Sequence, residues 1–409
     1  MSGMNGLSIK GMLGALLLAV SGVVQGNVAV PGHFSARAKE LLADSIELAP
    51  AAHAVNVVYF LGNDNEPEPD YERRLSELLL YVQQFYGKEM QRNGMGARSF
   101  GLRREANGNV RILLVRGKKS HRDYPYNGGA NACLQEVAEF FRAHPEEKHS
   151  DHTFILMPTF HDEQNGEKSP GGVPFYGYGR DCFALDYADF DIKHLGQNTR
   201  EGHLLTKWLG GFAHELGHGL NLPHNAGTTS DVALYGTPLM GAGNYTFGMR
   251  PTYMTRSSCR LLTASETFAL AGDETDFYPE GAPAPVIEEA SVVPSADKLV
   301  VRMRVSGCAF VNLQVQDPPF QVNRDYDAVA FCMAEEKLPG TDSVVYSLEV
   351  PLAELQGLQN TRKGEQALEL LLTQANGWRY RWRITLDWSK LTLGAPLPLP
   401  ALDSLHRGY

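Results

Sequence analysis

The chain has 409 residues, 43% of them hydrophobic and 21% charged, a balance that excludes a disordered or fibrous polymer and allows about two or three domains. Its 37 Lys and Arg against 47 Asp and Glu leave a net charge of −10, which argues against nucleic acid as a partner because phosphate backbones reward basic patches. Five cysteines allow at most two bridges and leave one thiol over.

In chain order, Lys10 precedes an apolar run over 12–24, and Val24-Gln25-Gly26 ends it with small or aliphatic residues. The run is too short to span a bilayer and fits a cleaved export signal over 1–26, so the mature chain is expected to be secreted or periplasmic. No later stretch reaches about 18 apolar residues, so no membrane span is expected in the mature chain. Cys308 and Cys332 could pair, while Cys133, Cys182 and Cys259 cannot all pair with one another.

Residues 55–61 are β-branched and aromatic and predict a buried strand. Leu75, Leu78, Leu79, Val82 and Phe85 recur every three or four residues, which predicts a helix with one apolar face. A strand over 110–115, a helix carrying Leu134, Val137, Phe140 and Phe141, and a strand over 153–157 follow. Alternation of this kind predicts a helix-flanked, mostly parallel sheet. A Gly/Pro/Tyr-rich loop over 169–179 leads to a further strand at 182–187.

Asn198 and Glu201 offer a capping box for a long helix over 199–220. That helix carries His214-Glu215-Leu216-Gly217-His218. Residues four apart share a helical face, so both imidazoles can reach one ion, while Glu215 is offset to sit beside a water on it. A catalytic zinc site usually takes three protein ligands, and His224 supplies the third if the helix stops and turns. Asn221 tolerates the left-handed turn required, and Pro223 prevents the helix from resuming.

Beyond a Gly/Pro/acid-rich linker, runs of period two at 299–305, 311–315, 344–350 and 378–386 predict a small antiparallel β-sandwich. The Pro-rich end, with Pro396, Pro398 and Pro400, is expected to be a tail. The expected division is a signal peptide over 1–26, a catalytic domain over 27–275, a linker over 276–286, a sandwich over 287–393 and a tail over 394–409.

The histidine pattern resembles the metzincin clan of zinc peptidases, with Asn221 in place of the motif's glycine. Gly236-Thr237-Pro238-Leu239-Met240-Gly241 is similar to the clan's methionine turn, with Met240 as the methionine and Met249 and Met254 as rivals. Longer runs are similar to the mucin O-glycopeptidases of gut bacteria. They are Val58-Tyr59-Phe60-Leu61-Gly62, Asp70-Tyr71-Glu72-Arg73-Arg74-Leu75, Gly171-Gly172-Val173-Pro174-Phe175-Tyr176-Gly177 and Phe183-Ala184-Leu185-Asp186-Tyr187. To these are added the stretch from His214 through Asn225 and Gln316-Asp317-Pro318-Pro319 in the sandwich.

The resemblance implies an α/β (α+β) metzincin-like catalytic domain followed by an immunoglobulin-like sandwich. It implies a monomeric, single-zinc endopeptidase that cuts before a Ser or Thr bearing a mucin-type O-glycan of the Gal-GalNAc class. His214, His218 and His224 would hold the zinc, and Glu215 would act as general base. The alternatives are a secreted metzincin indifferent to glycans and a non-catalytic glycan-binding protein.

An extended substrate is expected to add to a sheet edge near 182–187. Phe175, then Tyr126, Phe160, Tyr176 and Tyr178, are candidate platforms for a neutral sugar, and Tyr245 is a candidate phenol for the oxyanion. The net negative charge is expected to disfavour sialylated substrates.

Overall fold

A computed structural model describes residues 30–161, 169–318, 325–399 and 406–408. The expected signal segment, 1–26, lies outside the described residues. Among those described, no helix is long and apolar enough to cross a membrane.

The N-terminal unit holds helices α1 (Ala36–Leu42), α2 (Tyr71–Arg92), α3 (Gly129–Ala143), α4 (Arg200–Gly219), α5 (Thr229–Tyr235) and α6 (Arg256–Leu262). Its main sheet is built from β1 (Asn56–Leu61), β2 (Leu113–Arg116), β3 (Thr153–Pro158), β4 (Gly177–Tyr178) and β5 (Asp181–Asp186), in the order β2-β1-β3-β5-β4. Neighbours are parallel except β4, which runs antiparallel to β5. Every residue of β1 and β3 is buried, because each lies between two strands and is packed on both faces. The strand expected at 110–115 begins three residues later, and Val110 only bridges to Arg104.

Three of the quoted runs meet in this core. Arg74 of α2 pairs with Asp186 of β5 at 2.8 Å, and the Tyr59 hydroxyl donates to the same carboxylate at 2.8 Å. The long helix α4 packs on β5, β4 and β3, and the Tyr86 hydroxyl of α2 donates to its Ala213 carbonyl at 2.8 Å. Its N-cap is Thr199 rather than Asn198, because the Thr199 hydroxyl is the group that accepts from the Gly202 N–H.

A short parallel pair, β6 (Thr237–Pro238) and β7 (Thr252–Tyr253), frames the segment after α5. The C-terminal unit then holds β8 (Val286–Pro294), β9 (Lys298–Ser306), β10 (Phe310–Gln316), β11 (Val329–Cys332), β12 (Ala334–Lys337) and β13 (Ser343–Pro351). It is completed by β14 (Glu365–Thr373), β15 (Arg379–Asp387), β16 (Leu397–Pro398) and β17 (His406–Gly408). They form two five-stranded antiparallel sheets, β11-β10-β14-β15-β17 and β12-β13-β9-β8-β16, closed over a second apolar core.

Two expectations need correction, and the open question of cysteine pairing is answered. The proline-rich end is not only a tail, since β16 pairs with β8 and β17 with β15. Nor is 276–286 a free linker, since Tyr278 is buried and its hydroxyl lies 2.8 Å from His152 Nε2. Cys308 and Cys332 are not bonded, and all five cysteines are free thiols.

Candidate active site

Helix α4 ends in a paired-hydrogen-bond turn. The Leu222 N–H donates to the Gly217 carbonyl at 2.9 Å, the Asn221 N–H donates to the His218 carbonyl at 2.8 Å, and Asn221 has φ = 67°. This is a Schellman cap with Asn221 at its left-handed position. The chain doubles back through Pro223 and carries His224 to the face already holding His214 and His218.

The three Nε2 atoms lie 2.9, 3.1 and 3.2 Å apart. His214 Nδ1 lies 2.7 Å from the Leu239 carbonyl and His218 Nδ1 lies 2.8 Å from the Leu222 carbonyl. A carbonyl only accepts, so both Nδ1 atoms carry the proton and both Nε2 atoms present lone pairs. Converging lone pairs repel unless a cation lies between them. Imidazole nitrogens at about 2.0–2.1 Å from one tetrahedral ion would be about 3.3 Å apart, close to what is observed. The donor set therefore fits a zinc ion, with the site open on its cleft side.

Met240 is almost wholly buried against α4, and its Sδ would stand 2.5 Å from a Cβ at position 217, so a side chain there would have to displace the thioether. The Met240 carbonyl accepts from the Asn225 N–H at 3.1 Å, which ties the turn carrying Met240 to the segment carrying His224. Gly177 of β4 is equally constrained, because a Cβ there would lie 2.2 Å from His218 Cβ. Strand β4 thus runs directly over helix α4 at His218.

Burial pushes the Glu215 carboxyl up to about 8, and a hydrogen bond from the Gly177 backbone N–H partly opposes this. A cation held by the neighbouring imidazoles would draw it further towards the carboxylate.

The cleft at these histidines has a volume of about 460 Å³. Glu215, His218 and His224 open onto it, as do Phe175, Tyr126 and Tyr176 among the aromatics expected from sequence. Tyr126 and Tyr176 stand edge to face at 5.7 Å, and Phe175 packs against Trp208 at 5.0 Å. Tyr178 is exposed on the edge strand and does not line the cleft. Phe160 packs instead against His121 and His161. Tyr245 is 67% exposed on a short turn against α4 and does not line the cleft. The start of β5, expected as the open edge, is covered by β4, which is itself the edge.

The opposite wall, which sequence reasoning missed, comes from the sandwich: Gln314, Gln316, Tyr326, Glu369, Arg381 and Arg383. The Tyr326 ring stacks on His224 at 3.6 Å, and Gln314 Nε2 donates to the His224 carbonyl at 3.0 Å. Alternating polar residues on a sandwich strand read as a solvated face, and nothing local marks this one as docked on a second unit.

No protein-family model matches the chain, and no curated protein sequence does. Solved structures do match. The chain is 52% identical to wild-type OgpA from Akkermansia muciniphila, over 86% of this chain and 98% of that one, with a TM-score of 0.81. A second crystal form of OgpA gives 50% identity over 88% and 99% of the two chains, with a TM-score of 0.80. A catalytically inactive OgpA in complex with an O-glycopeptide substrate, glycodrosocin, gives 51% identity over 86% and 98%, with a TM-score of 0.81.

Proposed function

The chain belongs to the family of the O-glycopeptidase OgpA, and from that membership we propose that it is an exported, metzincin-type zinc endopeptidase cutting before O-glycosylated Ser or Thr. The observation that carries the proposal is the convergence of three imidazole Nε2 atoms beside Glu215 in a cleft bounded by an edge strand. The solved OgpA complex, in which an O-glycopeptide is the substrate, supports the substrate class.

In this reading His214, His218 and His224 hold the ion, and their backbone-anchored Nδ1 atoms fix the ring orientations. Bound zinc supplies Lewis acidity, polarising a carbonyl and bringing the loss of a proton from water into the neutral range. Glu215 accepts that proton and passes it to the leaving amine, a task suited to a carboxyl whose burial raises its affinity for a proton. Met240 packs against the helix under the ligands and takes no part in proton transfer. The outer edge of β4 offers main-chain groups to an extended peptide. Phe175, Tyr126 and Tyr176 offer ring faces to the apolar side of a Gal-GalNAc unit. The phenol we assign to steady the developing oxyanion is that of Tyr326, on the support of its stacking on His224 and its place in the cleft wall.

Mass spectrometry of a synthetic peptide with and without a single Gal-GalNAc on its Thr tests the proposal. Cutting of the glycosylated form alone, just before the Thr, is expected. Glu215→Ala should lose at least about 100-fold in rate while retaining its zinc. Equal cutting of both peptides would leave a zinc peptidase indifferent to glycans.

A further inference from the structure

The sheet β11-β10-β14-β15-β17 turns its outer face to the N-terminal unit, and its cross-strand rows divide that face by task. The row Phe310–Thr373–Arg379 docks: Phe310 joins the N-terminal core and Arg379 donates to the Asn221 carbonyl. One row on, Asn312 donates to the Ser257 carbonyl at 3.1 Å, and Leu371 also joins that core. The next row, Gln314–Glu369–Arg383, reaches the cleft with its carboxylate and one amide engaged. Gln314 holds the His224 carbonyl, and Glu369 takes Arg383 Nε at 2.9 Å and Arg381 at 3.7 Å.

Gln316 differs. It lines the cleft, is 1% exposed, and its Oε1 has no hydrogen-bond partner. It is also held rigidly, because the adjacent Asp317 accepts from the Gln359 and Asn360 N–H groups and from Gln366 Nε2. A buried amide oxygen without a donor is costly in the free protein and is satisfied by a ligand that brings one.

We propose that Gln316 is a substrate-binding residue whose side-chain oxygen accepts an amide N–H of the glycopeptide, so that the sandwich shares in substrate specificity. This rests on the O-glycopeptidase reading of the same cleft. The donor is an amide, from either the peptide backbone or the 2-acetamido group of the sugar.

The test measures glycopeptide binding by calorimetry to full-length, zinc-loaded Glu215→Ala protein, so that binding is read separately from cutting. Adding Gln316→Met is expected to weaken binding about tenfold. It should also leave thermal stability equal or higher, because a purely structural glutamine would lower it. Ligands with a backbone ester at one bond, or with a 2-hydroxyl in place of the acetamido group, are expected to bind less tightly to the Gln316 protein at the position that supplies the donor. That comparison needs no Gln316 variant. Undiminished binding of every analogue, or equal binding with and without Gln316, overturns the inference even if the enzyme proves to be an O-glycopeptidase. Gln316-dependent binding without cutting by the wild-type protein would sustain the inference and sink the enzymatic reading.

Discussion

Tyr326 stacks on His224 and lies nearly parallel to His214 at 5.8 Å, so one ring that lines the cleft braces two histidines of the candidate site. Tyr326→Phe keeps the stacking and removes the hydroxyl. It is expected to lower kcat about 10- to 100-fold with KM within about twofold and the zinc content unchanged. Tyr245→Phe should leave both constants unchanged, and steady-state kinetics on one glycopeptide checks the pair. A second single-residue effect concerns stability. His152 is buried with Nδ1 2.7 Å from the Gly219 carbonyl and Nε2 2.8 Å from the Tyr278 hydroxyl, and burial holds its pKa down to about 4. The neutral ring donates at Nδ1 and accepts at Nε2, whereas the imidazolium has nothing to accept with. In the unfolded chain the same ring titrates near 6.5, so between about pH 6.5 and 4 the unfolded state binds more protons. Stability from this group is therefore complete above about pH 6.5 and is lost as the pH falls, by about 3 kcal/mol in all. Urea unfolding of the zinc-free protein at several pH values is expected to show that slope, and His152→Gln should flatten it.

The turn after α4 shows how one local conformation sets the site. Asn221 holds φ = 67°, and the cap it closes places the Leu222 carbonyl on His218 Nδ1. A β-branched residue at 221 would be strained there, so Asn221→Val is expected to cost about 1–3 kcal/mol and to weaken zinc binding, while Asn221→Gly should spare both. Thermal unfolding and a competitive zinc titration measure the two effects. This turn was legible in sequence because the spacing of His214, His218 and His224 admits few geometries and Asn221 and Pro223 are its chemistry. Other elements were not. Strand β14 carries no period-two signal, because Leu368, Leu370 and Leu372 face the sandwich core while Leu371 faces the other core, which erases the alternation of a one-sided strand. Gln314 and Gln316 were missed for the converse reason, since a polar alternation carries no sign of what covers it. Tyr245 stands close in sequence to Met240, yet the phenol ring stacked on His224 in the cleft is that of Tyr326, which the fold brings from the other unit.

At the scale of the molecule, the sandwich is part of the site rather than an appendage. Phe310 and Leu371 sit in the N-terminal core, Ala226 bridges to Val329, and Arg260 holds both the Met333 carbonyl and Glu335. The segment following the third histidine is thus held from the sandwich side, and Gln314 holds the carbonyl of His224 itself. Removing the sandwich would strip the cover from an apolar contact and leave the Asn221, His224 and Ser257 carbonyls without Arg379, Gln314 and Asn312. Interfaces between domains of one chain often allow independent melting, but shared core residues and a shared cleft wall oppose it. Calorimetry of the full chain is therefore expected to give one cooperative transition that shifts upward as a whole when zinc is added, because an ion bound only by the native state stabilises everything that unfolds with its site. A chain ending at residue 285 should lose zinc affinity and show no cooperative transition. Two separate transitions, with only the first sensitive to zinc, would mean that the sandwich merely touches the catalytic unit and that Gln314 and Tyr326 are dispensable to the metal site.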